Sequence, residues 1–552
     1  MRQIVKKSVR NQQSADEAQV PTQMRRPWDY VEDFGDRPPP WRRLLVERIL
    51  RQTAQRSPNS QAIISGDRVT TWAELDVMAN RAANGLARLN ARPGDVVALS
   101  AANSAETLAM MFGMARAGLI ALPINTMNRA DEIDHQLHET GAIMMLSAEG
   151  LTAEEVIANG EPEPPRVDVD ELSPFWIRFT SGTTGRPRGY AVSHRAVSLM
   201  IQQMAIELRY DADDTLLVNA PLAHAAFAFA GAIVATGATM VLAPFDAEHL
   251  WQDCQYHGVT QLFMVPTMLA MALQGAGAGA TVRQISLAGS ALTPSLRQRA
   301  VQRFPHIDFT ELYGASELGM LTVLHSRDAA ERVGSVGLPR FGYDVRILDD
   351  DGHDVPPGVV GTVFVQGPSL SDGPVGSVSA PANVVRDGWV TSGDMGRVDN
   401  DGFLYLADRR SDLIVSGGLN VYPAEVENVL QQVDDVGEVV VVGFDDEVWG
   451  QRVTAVLTGH APDAVLDAHC RQMLAGYKIP RSYVRVDELP KTASGKLKRG
   501  TVRELLRTHE LSERHLTELR VKPRVGEEVG TQRVRRSAGW CGGSDGVDRG
   551  TC

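Results

Sequence analysis

The stretch Phe179-Thr180-Ser181-Gly182-Thr183-Thr184-Gly185-Arg186-Pro187-Arg188-Gly189 concentrates hydroxyls, glycines and two guanidinium groups in one short run. Glycine lets a backbone approach an anion closely. Main-chain N–H groups can then point inward, and the hydroxyls of Thr180, Ser181, Thr183 and Thr184 add donors that suit a polyphosphate. Arg188 would meet the same negative charge. The apolar run Phe175-Trp176-Ile177 ahead of it predicts a buried strand. Ser193 reads as an N-cap, followed by Val197, Met200, Ile201 and Met204 at helical spacing. The expected order is strand, loop, helix. A flexible Ser/Thr/Gly linker needs neither flanking element, and no Gly-Lys-Ser/Thr follows where a Walker A loop requires it. The reading is a nucleotide-phosphate loop of another kind.

Further along, Phe309-Thr310-Glu311-Leu312-Tyr313-Gly314-Ala315-Ser316-Glu317 gathers an aromatic ring that can stack on a base, a hydroxyl that can donate to a phosphate oxygen, and a carboxylate that can hold a hard cation. Taken singly, a strand-end Tyr313 and a surface Glu317 need no such role. The run Ile285-Ser286-Leu287, the turn Ala288-Gly289-Ser290-Ala291 and the cap Thr293-Pro294 repeat the order strand, glycine turn, helix. His224, in Asn219-Ala220-Pro221-Leu222-Ala223-His224-Ala225-Ala226-Phe227, reads by its surroundings as a core histidine more than a catalytic one. Lys491, Lys496 and Lys498 read by composition as solvated charges. The Gly-x-Gly-x-x-Ala of Gly275 to Ala280 is a flexible Gly/Ala loop, because it follows a helical run and not a strand.

In this order and wording the segments resemble those of the adenylate-forming superfamily, which includes acyl-CoA synthetases, non-ribosomal peptide adenylation domains and luciferases. The similarity covers roughly residues 45 to 507. It adds Gly388-Trp389-Val390-Thr391-Ser392-Gly393-Asp394, Asp408-Arg409-Arg410-Ser411-Asp412 and Pro490-Lys491-Thr492-Ala493-Ser494-Gly495-Lys496 to the segments above. The resemblance implies that Thr180, Ser181, Gly182, Thr183, Thr184, Gly185 and Arg188 hold ATP phosphates. It further implies that Ala288 and Gly289 line the adenine and acyl pockets, that Tyr313, Gly314 and Ser316 contact the nucleotide, and that Asp394 and Arg409 contact the ribose. Glu317 would hold Mg2+, His224 would lie near the acyl carboxylate, and Lys496 would reach the α-phosphate, where a point charge suits the negative charge that develops. Arg188 stands where most relatives carry Lys, Ser316 and Ser392 where they carry Thr, and Ser411 where the hinge is usually Asp or Lys. Ala225 stands where amino-acid-activating members place Asp, which makes an amino acid a poor candidate substrate.

The implied enzyme is an acid–thiol ligase, an ATP-dependent acyl-CoA synthetase that joins an apolar fatty, alicyclic or aryl acid to CoA through an acyl-adenylate. Two alternatives stay open: an acyl-AMP ligase loading an acyl carrier protein, and a catalytically silent nucleotide-binding homologue. ATP, Mg2+ and CoA are the implied cofactor and co-substrates.

The elements that must position these residues follow from the hydrophobic pattern. A helix is expected over 41 to 57, with Leu44, Leu45, Ile49 and Leu50 on one side, then a hairpin over Gln61 to Val69 and a helix capped by Thr71. Strands at Val96 to Leu99 and Leu119 to Pro123 alternate with a helix over Thr107 to Ala117. The fold class is α/β: a large N-terminal domain of layered, mostly parallel sheets with flanking helices, plus a small mobile α+β C-terminal domain. Boundaries are expected at 1–40 for a polar lead-in, 41–409 for the N-terminal domain, 410–510 for the C-terminal domain and 520–552 for a disordered tail. The net charge, 55 − 68 = −13, and the lack of a central basic block argue against a nucleic-acid surface. Cys254, Cys470, Cys541 and Cys552 lie far apart with no metal-ligand spacing, which suits a reduced, cytoplasmic protein. No membrane span is expected.

Overall fold

The computed structural model describes residues 43–126, 128, 130–179, 188–222, 226–289, 292–316, 318–376, 388–409, 412–416, 419–446, 450–491 and 497–508. Two large sheets organise the part of the chain between residues 61 and 374. In the nine-stranded sheet, six neighbours run parallel in the order Asp308–Ala315, Gln284–Leu287, Gln261–Met264, Thr215–Val218, Thr239–Leu242 and Gln61–Ser65. Both edges are finished by antiparallel strands, Gly319–Leu324 with Leu338–Pro339 at one and Arg68–Thr71 at the other. The six-stranded sheet has a parallel core of Pro174–Phe179, Ile120–Pro123, Val96–Ser100 and Met144–Ser147.

A helical layer lies between the two sheets. Trp72–Arg88, Ala105–Arg116, His194–Glu207 and Ala226–Thr236 contribute to one apolar cluster that also takes Ile63, Leu216 and Met240 from the larger sheet and Val97, Ala121 and Trp176 from the smaller. The sequence Ala226-Phe-Ala-Phe-Ala-Gly-Ala-Ile-Val has no polar face, as a helix enclosed on all sides requires. Its Gly231 sits against Ile201, and a β-carbon there would come within 2.6 Å of Ile201 Cδ1.

The expected caps are present. Thr71 and Glu74 form a reciprocal capping box, Ser193 accepts from the Ala196 N–H, and Thr293 from the Leu296 N–H with Pro294 in the first turn. The first described helix runs Val46–Arg56, so it starts later than the pattern suggested. Leu44 and Leu45 precede it, and Val46, Ile49, Leu50 and Thr53 face the core.

A larger difference from the expected elements lies at the exit from the glycine-rich loop. The chain does not pass from the loop into a helix; it forms a strand, Gly189–Ser193, antiparallel to Pro174–Phe179 with Phe179 opposite Gly189. Tyr190, Ala191 and Val192 are all buried, so pairing with the neighbouring strand outweighs early helix formation. The Gly275–Ala280 segment is also more tightly held than a flexible loop. Gly277 has φ +136° and Gly279 has φ +58°, and both lie against the Trp251 side chain.

A four-stranded antiparallel sheet follows in the order Asp344–Leu348, Gly361–Gln366, Asp394–Val398, Leu404–Arg409. Beyond residue 410, Ile414–Ser416, Leu419–Val421, Val436–Asp446, Gly450–Gly459 and Ser482–Arg485 form a five-stranded sheet with the helices Pro423–Leu430, Asp463–Met473 and Arg499–Arg507. Among the described residues, the apolar clusters built from this part share no member with those before residue 410. No helix of the described residues is long and apolar enough to cross a membrane.

His194, the first residue of its helix, is fully buried with its ring centroid 5.1 Å from that of Phe175. Burial pushes its pKa down to about 3, against a smaller upward pull from Asp170. The unfolded chain therefore takes up a proton that the native state refuses. Stability contributed by the neutral ring is intact above the ordinary histidine range and is lost as pH falls from about 6.5 towards 3, at roughly 1.4 kcal/mol per pH unit. Denaturant melts between pH 7 and pH 4 should show this acid limb in the wild type and a shallower one in His194→Leu.

Candidate active site

The carboxyl ends of parallel strands are where an open α/β sheet receives a ligand, and the chemically distinctive segments meet there. Strand Pro174–Phe179 delivers the chain to the glycine-rich loop. Thr180, Ser181, Gly182, Thr183, Thr184 and Gly185 lie outside the described residues, as do His224, Glu317 and Lys496. Arg188, at the loop's exit, is exposed.

The described partners of the loop are informative. Ser316 Oγ donates to the Phe179 carbonyl oxygen at 3.3 Å, which fastens the Tyr-Gly-Ala-Ser segment to the last residue before the loop. Just ahead of Ser316, on the strand Asp308–Ala315, the Tyr313 hydroxyl donates to Asp394 Oδ2. Ser392 Oγ donates to that oxygen too, at 2.6 Å. Asp394 is buried, so these hydroxyls replace water around the carboxylate; charge-assisted bonds of this kind are stronger than neutral ones. The antiparallel register sets Arg409 opposite Asp394. One aromatic ring, one carboxylate and the backbone of one arginine are thereby brought together from residues far apart in the chain.

Ala288 and Gly289 end the neighbouring strand Gln284–Leu287, which is parallel to Asp308–Ala315. Gly289 has φ +96°, a conformation that side-chain-bearing residues rarely adopt. Gly314 is equally constrained, because a β-carbon there would overlap the Gly319 carbonyl oxygen. Behind these turns, Ala288 belongs to the same apolar cluster as Ala226, Phe229 and Phe263. The rings of Phe229 and Phe263 stack with centroids 4.1 Å apart. A flat nucleobase and an apolar acid both fit a site so composed: small residues and glycines over one part, a buried carboxylate and a tyrosine over another.

The base of the lysine-bearing loop is clamped. Lys491 and Leu497 form an antiparallel bridge, and the Lys498 N–H donates to the Pro490 carbonyl oxygen at 2.8 Å. Lys491 is not a solvated charge as its composition suggested; Nζ lies 2.8 Å from Glu438 Oε1. Arg499 meets Glu427 with two bonds of 2.7 and 2.8 Å and Asp412 at 3.2 Å. Sequence reasoning missed this set because its partners are 72 and 87 residues apart. The pairing of Arg297 with Glu311, which ties the helix Pro294–Arg303 to the Tyr313 strand, joins residues only 14 apart but on different elements, so no periodicity within either one reports it.

Two regions of the chain match known families: residues 50–373 match the AMP-binding enzyme family, and residues 425–496 match the AMP-binding enzyme C-terminal domain. The chain belongs to this family, the adenylate-forming enzymes, and is an AMP-forming acid–thiol ligase of the acyl-CoA synthetase class, working with ATP, Mg2+ and CoA. It is 35% identical over 478 residues to feruloyl-CoA synthase of Amycolatopsis sp, covering 82% of this chain and 96% of that protein. It is 31% identical over 496 residues to indoleacetate–CoA ligase of Aromatoleum aromaticum, covering 81% and 96%. Among solved structures it resembles o-succinylbenzoate CoA synthetase of Bacillus subtilis in complex with ATP and magnesium ion. That match has a TM-score of 0.76 and 30% identity, over 82% of this chain and 98% of the other.

Two expected outcomes test the geometry. Tyr313→Phe removes one donor from Asp394, and the KM for ATP should rise roughly tenfold, corresponding to about 1.4 kcal/mol for a hydrogen bond to a charged group, while the far-ultraviolet spectrum stays unchanged. Arg499→Leu loosens the lysine loop at its base. It should lower the kcat of pyrophosphate release while leaving the KM for ATP within about twofold, since a group that acts in the transition state alone shows in kcat.

Proposed function

We propose that this acyl-CoA ligase activates an aryl or arylalkyl carboxylic acid. The observation that carries this reading is the uncharged surroundings of the glycine turn, where Ala288 shares a buried apolar cluster with Ala226 and the mutually stacked rings of Phe229 and Phe263. Aromatic rings pack well in offset or stacked contact with other rings. Ala225, which cannot pair an α-ammonium group, supports the same choice. So do the relatives, whose names include feruloyl-CoA synthase, indoleacetate–CoA ligase and 2-succinylbenzoate–CoA ligase.

In the proposed mechanism the acid carboxylate attacks the α-phosphorus of ATP and expels pyrophosphate. Thr180 to Gly185 and Arg188 hold the departing phosphates, Tyr313 packs on the base, and Asp394 with Arg409 fixes the ribose. Glu317 would hold Mg2+, which when bound neutralises phosphate charge. His224 sits beside the carboxylate, and Lys496 places its ammonium at the oxygens around the α-phosphorus. The protein's contribution is position and electrostatics, with no covalent step of its own. CoA thiol then attacks the carbonyl of the acyl-adenylate, forming the thioester and releasing AMP.

The same reading divides the chain at residues 41–409 and 410–510, with the second part turning between the two half-reactions so that Lys496 leaves the site before CoA enters. Separate apolar clusters on either side of residue 410 support that division.

Pyrophosphate release measured over a panel of aryl, fatty and amino acids, with thioester read by mass, tests the substrate class. Aryl acids should give the highest kcat/KM, and a preference for saturated alkyl acids would overturn it. Lys496→Ala should reduce adenylate formation by at least about a hundredfold, the scale for losing one preorganised charge at the reacting group, while ATP still binds by calorimetry.

A further inference from the structure

Asn219 follows the strand Thr215–Val218 at the carboxyl end of the larger sheet. It is only 8% exposed, and neither its amide nitrogen nor its amide oxygen has a hydrogen-bond partner among the described residues. Buried amides are nearly always paired, so an orphan needs an explanation. The neighbouring backbone is fixed: Asn103 Nδ2 donates to the Ala220 carbonyl oxygen at 2.8 Å, and the Leu222 N–H donates to Asn103 Oδ1 at 2.9 Å. Asn103 therefore satisfies the main chain at Ala220 and Leu222, and makes no bond to the Asn219 amide.

Asn219 borders a cavity of about 10 Å³, shared with Val218, Ala220, Ala226, Phe229 and Phe263. Asn219 is the one polar side chain among its lining residues. A volume of this size admits one oxygen-sized group, and the amide can offer that group both a donor and an acceptor. The cavity is part of the proposed acyl site. Its Ala226 and Phe263 share an apolar cluster with Ala288, and the strand Gln261–Met264 that carries Phe263 lies next to the one ending at the Gly289 turn.

We propose that Asn219 determines acyl specificity, its amide hydrogen-bonding one hydroxyl or carbonyl oxygen borne on the ring of the aryl acid. The inference rests on the aryl-acid reading above and narrows it to ring-oxygenated acids. An amide can donate to that oxygen and also accept from a hydroxyl, so a phenol satisfies both of its polar atoms. In the empty enzyme the amide is a destabilising feature, tolerated for its use in discrimination. A site built to hydrogen-bond a substrate hydroxyl rejects the analogue that lacks it far more strongly than an apolar pocket can.

The test compares kcat/KM for acids that differ only in the ring oxygen, 3- and 4-hydroxycinnamic against cinnamic acid and hydroxyphenylacetic against phenylacetic acid, in the full-length wild type and in Asn219→Leu. The wild type should favour an oxygenated member by at least about tenfold. Asn219→Leu should lose that preference through the oxygenated acid alone, with the plain acid unchanged within about twofold, and should melt at a higher temperature because an unpaired buried amide has been replaced by an apolar group of similar size. Asn219→Ala, which cannot overfill the site, should show the same loss of preference. An equal preference in wild type and variants, or a wild type indifferent to the ring oxygen, would overturn the role of Asn219 while leaving the aryl reading in place. Turnover of alkyl acids with none of the aryl pairs would instead overturn the aryl reading, and this assignment with it. A lower melting temperature in both variants with the preference intact would make the amide structural.

Discussion

The strand Asp308–Ala315 and the residues just beyond it bind three sheets together, and they do so through hydroxyl groups. Tyr313 reaches Asp394 in the four-stranded sheet, and Ser316 reaches Phe179 in the six-stranded one, while the strand itself belongs to the nine-stranded sheet. Burying the Asp394 carboxylate costs solvation that only hydrogen bonds can offset. The positions of Tyr313 and Ser392 are therefore set by the charge they serve. Gly314 between the two contacts can bear no side chain, so the backbone here is fixed from both sides. The aromatic ring and the carboxylate are thereby held in fixed positions relative to each other.

Much of this was legible in the sequence, because the signals were local. Thr71, Ser193 and Thr293 cap helices for the reason their residue types suggest, and the runs at Val96 and Gln261 alternate or bury as strands of a covered parallel sheet must. The strand Gly189–Ser193 was not legible. Its apolar run is too short for period alone to tell a strand from the approach to a helix, and what decides it is pairing with Pro174–Phe179 across the loop. The Gly275–Ala280 segment misled in a related way: its glycines are there for close approach to Trp251, a contact no local pattern reports. In the site, residue types in the ordered segments pointed to nucleotide chemistry, yet the bond between Tyr313 and Asp394 joins positions 81 apart. Asn219 carried a signal of a different sort, a lone amide at the end of the run Leu216-Leu217-Val218. Only its lack of a partner among the described residues gives that amide meaning.

The contacts at the base of the loop that carries Lys496 all lie within one part of the chain. Glu438, Glu427 and Asp412, which hold Lys491 and Arg499, all lie beyond residue 410, as do the two main-chain partners Pro490 and Leu497. These contacts therefore travel with the C-terminal part under the proposed rotation and need not be remade at each turn. The guanidinium of Arg499 suits this task better than an ammonium would, since Nη2 meets both Glu427 oxygens while Nη1, on the other arm of its planar fork, reaches Asp412. Asp412 closely follows the proposed hinge at Ser411. Arg499 thus ties Asp412, next to the proposed hinge, to the start of the helix Arg499–Arg507, three positions after Lys496 in the chain.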